Sequence, residues 1–153
     1  LEQLSRHGGY DLEIGCKGDL EIDAHHSIED VGLALGEAFK RALGKKTGIN
    51  RYAFVLPMDE ALAQVSIDFG GRPALQWQVR FEQNMLGIFP TQMAEHFFKS
   101  FADAAACNLQ ISASGNNDHH LLESCFKAFA RCLRQATDFG SRIDELPSTK
   151  GAL

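Results

Sequence analysis

One short pattern, His-His-x-x-Glu, occurs twice in the chain, at residues 25–29 and again at residues 119–123. The chain of 153 residues contains six histidines, and four of them lie in these two doublets. Two chance occurrences are therefore not expected from the composition. Imidazole and carboxylate groups at this spacing are typical ligands of a borderline divalent metal ion.

The spacing within each copy limits how the side chains can bind. Successive residues of a helix point about 100° apart, so two adjacent histidines cannot easily bind the same ion. His25 and Glu29 are four residues apart and face one way, whereas His26 faces another. We therefore expect each copy to serve two metal ions, or one metal ion and a substrate. The alternative interpretation is a polar helix N-terminus with surface histidines. The presence of a matched second copy argues against this interpretation.

The repetition extends beyond the metal-binding residue types. A shift of 94 positions places His25 on His119, and it also aligns the apolar positions of two predicted helices. The aligned apolar pairs are Val31 with Cys125, Ala34 with Ala128, Leu35 with Phe129, Phe39 with Leu133 and Ala42 with Ala136. A strand, a ligand-bearing turn and an amphipathic helix are thus used twice. A duplicated half-domain explains this pattern, while a coincidental match of two helices does not explain the ligands.

Hydrophobic periodicity predicts the remaining elements. Helices are predicted at the N-terminus up to His7, from a capping box at Ser27 to Gly44, over 91–106 and over 119–137. Strands are predicted over 52–56, 61–69, 74–81 and 108–112, and residues 10–22 alternate as a strand or hairpin. We expect strands 61–69 and 74–81 to pair as a hairpin across the Gly70-Gly71-Arg72-Pro73 turn.

Composition excludes several classes of function. The net charge of −5 argues against general nucleic-acid binding, and no apolar run is long enough to span a membrane. The four cysteines lack the paired spacing of a zinc site. Cys125 and Cys132 lie seven residues apart on one helix face and are expected to be reduced core residues. A cytosolic or organellar-matrix setting follows from reduced cysteines.

Several stretches together resemble a known family, imidazoleglycerol-phosphate dehydratase. They run in family order as residues 18–30, 48–51, 57–62, 71–73, 95–98, 117–120 with Glu123, 126–129, and Pro147-Ser148-Thr149-Lys150-Gly151. The resemblance implies dehydration of D-erythro-imidazoleglycerol phosphate to imidazole-acetol phosphate in histidine biosynthesis. It also implies two manganese ions per active site, and a cytoplasmic homo-oligomer of twenty-four subunits with active sites between subunits. A plastid location is implied if the source is a plant.

The resemblance further implies an α+β fold of the ribosomal protein S5 domain 2-like type, with helices packed between two mixed β-sheets. It implies that residues 1–153 form one domain made of repeated halves, about 1–70 and 71–153. The family has an earlier segment with an Asp-His-Met metal ligand and, before it, a glutamate at the substrate. This chain begins where that segment should end, so we expect the domain to be N-terminally incomplete.

The family's functional residues transfer by position. The implied metal ligands are His25, His26, Glu29, His96, His119, His120 and Glu123. The implied substrate and phosphate contacts are Arg51, Arg72, Lys127, Ser148 and Lys150. Without the resemblance, the arginines would be loop charges, Lys127 a helix ion pair, Ser148 and Lys150 part of a tail, and His96 a core-edge histidine.

The reaction removes a proton from a carbon next to the imidazole ring, and a metal on a ring nitrogen stabilises the imidazolate from which hydroxide is expelled. Glu29 or Glu123 could shuttle a proton only where it is not fully engaged as a ligand. Two other functions use the same residues. A dinuclear metal hydrolase would use a metal-bound water as nucleophile. A non-catalytic, metal-organised shell would use the two elements to cross-link subunits through closed coordination spheres.

Overall fold

The structure, a computed structural model, describes residues 1–140 and 144–151, and within β1 it describes the backbone but not the side chains of residues 53–55. Its helices are α1 (Glu2–Gly8), α2 (His25–Leu43), α3 (Met93–Ala105) and α4 (Asp118–Thr137). Its strands are β1 (Tyr52–Met58), β2 (Ala61–Asp68), β3 (Ala74–Gln78), β4 (Met85–Leu86), β5 (Phe89–Pro90) and β6 (Asn108–Ser114). The predicted α+β class is confirmed. Among the described helices, none has the length and apolar character needed to cross a bilayer.

The main sheet is mixed and four-stranded, in the order β1-β2-β6-β3. β2 is antiparallel to both β1 and β6, whereas β3 runs parallel to β6. β4 and β5 form a separate two-stranded sheet. The predicted hairpin between β2 and β3 is wrong, because β6 lies between them. β6 occupies this central place because Leu109 and Ile111, which are buried, extend the apolar row of β2 across the sheet.

The predicted strand or hairpin at residues 10–22 is also wrong, since this segment has no strand in the described chain. Alternation alone does not make a strand, which needs a neighbour to complete its backbone hydrogen bonds. Tyr10 and Leu12 still pack against the core. Leu20 and Ile22, at 69% and 68% exposed, do not bury an apolar face.

The two doublet-bearing helices begin with different polar residues. Asn117 caps α4, and its side-chain oxygen accepts hydrogen bonds from the backbone of His119 and His120 at 2.9 and 3.2 Å. The capping box predicted at Ser27 is wrong, because α2 already begins at His25. The carboxylate of Asp23 accepts from the His25 backbone at 2.7 Å. In both cases a short polar side chain binds the free N–H groups at the point where the histidines emerge.

Close packing of α2 on α3 fixes the position of the first doublet. A Cβ atom at Gly32 would lie 2.8 Å from the Phe97 carbonyl oxygen, and one at Gly36 would lie 2.5 Å from that of Phe101. Glycine at both positions therefore permits the two backbones to approach closely. Beneath this contact, the ring centroids of Phe101 and Phe129 are 4.9 Å apart, edge to face, which joins α3 to α4.

Loss of the Asn117 cap should loosen the start of α4. We expect Asn117→Ala to lower the free energy of unfolding by about 1 kcal/mol, the usual effect of removing an N-cap. Urea denaturation followed by circular dichroism measures this. Asn116→Ala is the matched control, because the neighbouring asparagine lies before the helix cap. If Asn117→Ala and Asn116→Ala have the same free energy of unfolding, the Asn117 side chain does not stabilise the start of α4.

Candidate functional site

Each copy of the repeated pattern places one histidine beside its glutamate. His25 Nε2 lies 3.5 Å from Glu29 Oε2 at the start of α2, and His119 Nε2 lies 3.2 Å from Glu123 Oε2 at the start of α4. Two donors bound to one ion at the usual metal–ligand lengths are separated by about 3.0–3.4 Å. The His119–Glu123 pair falls within this range and the His25–Glu29 pair lies just above it, so both pairs are close to the spacing of neighbouring ligands of one ion.

The second histidine of each doublet binds a carboxylate from another part of the chain. His26 Nδ1 lies 2.8 Å from Asp19 Oδ2, and His120 Nδ1 lies 2.9 Å from Glu60 Oε2. An ionised carboxylate only accepts hydrogen bonds, so Nδ1 must carry the proton in both rings. Nε2 is then the atom left for a metal ion, an arrangement that metal-binding histidines commonly show.

These two hydrogen bonds also change the acidity of the groups. Asp19 raises the pKa of His26, and Glu60 raises the pKa of His120. In return, the hydrogen bond from each histidine lowers the pKa of its carboxyl group. Both carboxyl groups therefore remain ionised and keep their histidines in the Nδ1–H form.

Asp19 and Glu60 are functional candidates that sequence reasoning missed. Asp19 lies seven residues before His26, in a turn whose path the sequence does not reveal. Glu60 lies sixty residues before His120 and reaches it only because α4 packs on β1 and β2. The useful signal was that both carboxylates fall within stretches that resemble the family.

The donors do not close around one point within a single chain. The two rings are 6.0 Å apart at 78° in the first doublet, and 6.2 Å apart at 67° in the second. His96 on α3 comes near the first doublet, with its ring centroid 4.9 Å from that of His25. Within residues 1–140 and 144–151, however, no three His, Cys, Asp or Glu side chains are grouped as a metal site. His26 and His119 remain open to solvent, at 61% and 71% exposed.

Glu123 is held more firmly than a surface carboxylate. Lys127 Nζ lies 2.8 Å from Glu123 Oε1, and Gln3 Nε2 donates to the same oxygen at 3.2 Å. The hydrogen bond from Lys127 is the main cause of the lowered pKa of Glu123. The positive charges of Lys127 and His119 lower this pKa further. Lys127 also contacts Met58 Sδ at 3.1 Å. The lysine thus lies among the candidate metal ligands, with its charge directed at Glu123.

An apolar cavity of about 580 Å³ lies between α2 and α4. Ser27 and Ile28 line it on one side, and His119 and Glu123 on the other, with Phe97 and Phe126 among its apolar walls. The starts of the two helices therefore border one space that has carboxylate and imidazole at one wall.

The predicted phosphate contacts lie in three places. Arg51 hydrogen-bonds Asp68 and the Pro147 carbonyl, which puts it beside the segment that carries Ser148 and Lys150. Arg72 is exposed in the turn before β3, where its own carbonyl accepts from Asn108 at 2.7 Å. Lys127 is separate from these residues and pairs with Glu123.

Loss of the carboxylate partners should weaken metal binding without unfolding the chain. We expect Asp19→Asn and Glu60→Gln each to reduce the affinity for a divalent metal about 10- to 100-fold, because the histidine loses its fixed tautomer and orientation. Isothermal titration with Mn²⁺ measures the affinity. Asp59→Asn is the control, since it removes a neighbouring charge but leaves the bond between Glu60 and His120. Unchanged affinity in both carboxylate variants would exclude this role.

Comparison with known proteins agrees with these features. The family model of imidazoleglycerol-phosphate dehydratase matches residues 1–133. The chain is 56% identical to the histidine biosynthesis bifunctional protein HisB of Spirosoma linguale and 52% identical to that of Stenotrophomonas maltophilia. All of this chain is covered in both matches, but only 40% and 42% of the two relatives, so the chain spans about two fifths of their length.

Two solved structures have the same fold. Imidazoleglycerol-phosphate dehydratase from Staphylococcus aureus superimposes with a TM-score of 0.84 at 33% identity, covering 91% of this chain and 80% of that one. IGPD from Pyrococcus furiosus superimposes with a TM-score of 0.77 at 28% identity, covering 99% and 82%. The sequence match and the shared fold agree, and the chain belongs to the imidazoleglycerol-phosphate dehydratase family.

Proposed function

We propose that this chain dehydrates D-erythro-imidazoleglycerol phosphate to imidazole-acetol phosphate in histidine biosynthesis. The observation that carries the proposal is the twofold arrangement of a histidine and a glutamate close to metal-ligand spacing, each beside a second histidine whose Nδ1 is bound to a carboxylate. Its occurrence in a chain of this family favours the lyase over a dinuclear hydrolase or a structural shell.

The donor set suits two manganese ions per active site. Imidazole nitrogen and carboxylate oxygen together match manganese, although zinc and iron accept the same donors. His25, His26, Glu29, His96, His119, His120 and Glu123 would hold the ions. A bound divalent cation supplies a Lewis acid for the nitrogens of the substrate's imidazole ring.

The two glutamates differ in their surroundings, which bears on proton transfer. Lys127 and Gln3 both bind one oxygen of Glu123, and His119 faces the other. A carboxylate held this way remains ionised and directed at a ligand position, so we assign Glu123 to metal binding alone. Glu29, which faces His25 at 3.5 Å, is the better candidate of the two for moving a proton.

The active sites are shared between copies of the chain. Each element offers one histidine–glutamate pair to a given ion, and a tight site needs three or more protein donors. The remaining donors would come from the other element of a neighbouring copy, as exposed His26 and His119 permit. A closed homo-oligomer of twenty-four cytoplasmic subunits, built from duplicated halves of about 1–70 and 71–153, would supply such contacts.

The activity is tested by following both possible products. With Mn²⁺, the full-length protein should convert imidazoleglycerol phosphate to imidazole-acetol phosphate, detected by the absorbance of its enol, without releasing inorganic phosphate. Chelation should abolish turnover and added Mn²⁺ should restore it. Phosphate release without the ketone would identify a hydrolase instead, and metal binding without either product would identify a structural shell.

A further inference from the structure

Arg51 and Asp68 form a two-point ion pair at the end of the main sheet away from the doublets. Arg51 Nε donates to Asp68 Oδ1 at 2.5 Å, and Nη2 donates to Oδ2 at 3.0 Å. The arginine side chain is only 12% exposed. Two parallel hydrogen bonds to one carboxylate fix the plane of the guanidinium group as well as its position.

The same guanidinium holds the C-terminal segment. Arg51 Nη1 donates to the Pro147 carbonyl at 2.8 Å, and nearby the Gly48 amide donates to the Glu145 carbonyl at 3.1 Å. Ser148 follows directly, and its hydroxyl accepts from the Lys150 amide at 3.2 Å. The segment that carries two of the proposed phosphate contacts is thus attached to the loop before β1.

The local backbone is shaped around this pair. Arg51 has a φ of 71°, a left-handed conformation that a non-glycine residue adopts only where its surroundings hold it. The Arg51 amide donates to the Ala136 carbonyl at 2.9 Å, which is one such contact. A Cβ atom at Gly70 would lie 3.0 Å from Arg51 Nη2 and from Asp68 Oδ2, so glycine leaves room for the pair.

We propose that Asp68 is a positioning residue for phosphate binding: it orients Arg51, and through Arg51 it holds the segment bearing Ser148 and Lys150. The proposal rests on the proposed function only in taking these residues as phosphate contacts. Asp68 itself would repel a phosphate, so its role is to act through Arg51. The contacts to Asp68 and Pro147 use three of the five N–H groups of Arg51, and within the described residues one on each terminal nitrogen remains for an anion.

The first test separates binding from turnover in the full-length, manganese-loaded protein. Asp68→Asn keeps the shape of the side chain but loses the anion. We expect KM for imidazoleglycerol phosphate and the inhibition constant of inorganic phosphate to rise about tenfold or more, with kcat and inhibition by free imidazole little changed. Asp103→Asn, which removes the partner of Lys99 on α3, should leave all four values unchanged. An equal loss of imidazole and phosphate binding in Asp68→Asn would overturn the proposal.

A second test asks whether Asp68 acts through the C-terminal segment. Lys150→Ala alone should also raise KM. In the double variant Asp68→Asn with Lys150→Ala, the increase in KM should be smaller than the product of the two single increases, because both changes affect the same segment. If the two single increases in KM simply multiply in the double variant, the proposal is overturned. If Asp68→Asn lowers the folded yield, Arg51→Lys replaces it, because lysine keeps the charge but cannot bind Asp68 and Pro147 together.

Hydrogen exchange provides a readout that does not depend on activity. Backbone amides of residues 144–151 should exchange faster in Asp68→Asn than in Asp103→Asn. Unchanged exchange would overturn the positioning role even if the enzyme is active as proposed. Suppose that the segment exchanges faster in Asp68→Asn but that Lys150→Ala has a normal KM. Asp68 would then hold the segment through Arg51, but the segment would not bind phosphate, and the proposal would be overturned on that point.

Discussion

The direction of adjacent side chains on a helix is the constraint on which the candidate metal centre depends. Neighbouring residues diverge by about 100°, so a histidine doublet at a helix start must present its two rings to different places. The ring centroids of the two histidines are 6.0 Å apart in the first doublet and 6.2 Å apart in the second, so the two rings occupy separate places. One histidine of each doublet pairs with the glutamate one turn later, and the other pairs with a carboxylate from outside its own helix. The rest of the fold, including the caps and the close packing of α2 on α3, holds these helix starts in place.

Features set by local physics were predictable from the sequence. The helices follow from apolar stripes and terminal glycines, and α2 ends before Gly44 as the spacing indicates. The histidine–glutamate spacing likewise predicts which side chains face each other. Cys125 and Cys132 are buried thiols, as their shared helix face suggested, and burial raises the pKa of each to about 12.

Features set by distant contacts were not predictable in the same way. The β2–β3 hairpin was wrong because β6, which follows a whole helix later, takes the central position in the sheet. Alternation at residues 10–22 shows a possible strand but cannot show whether a partner is present. The pairing of His120 with Glu60 and of Arg51 with Asp68 depends on packing between elements, so no local spacing reveals it. The family resemblance directed attention to the stretches that carry Glu60 and Arg51, whereas Asp68 lies outside all of the matching stretches.

Sharing of the active sites between copies is tested most directly by mixing two inactive variants. Glu29→Gln damages one element and Glu123→Gln the other, so each variant alone should lose turnover. If each site combines the first element of one copy with the second element of another, random reassembly of an equal mixture leaves about one quarter of the sites with both elements intact. Activity of the reassembled mixture should then reach about a quarter of the wild-type value, while each variant reassembled with itself remains inactive. A mixture no more active than either variant would show that the two elements serve sites within one chain and would contradict shared sites.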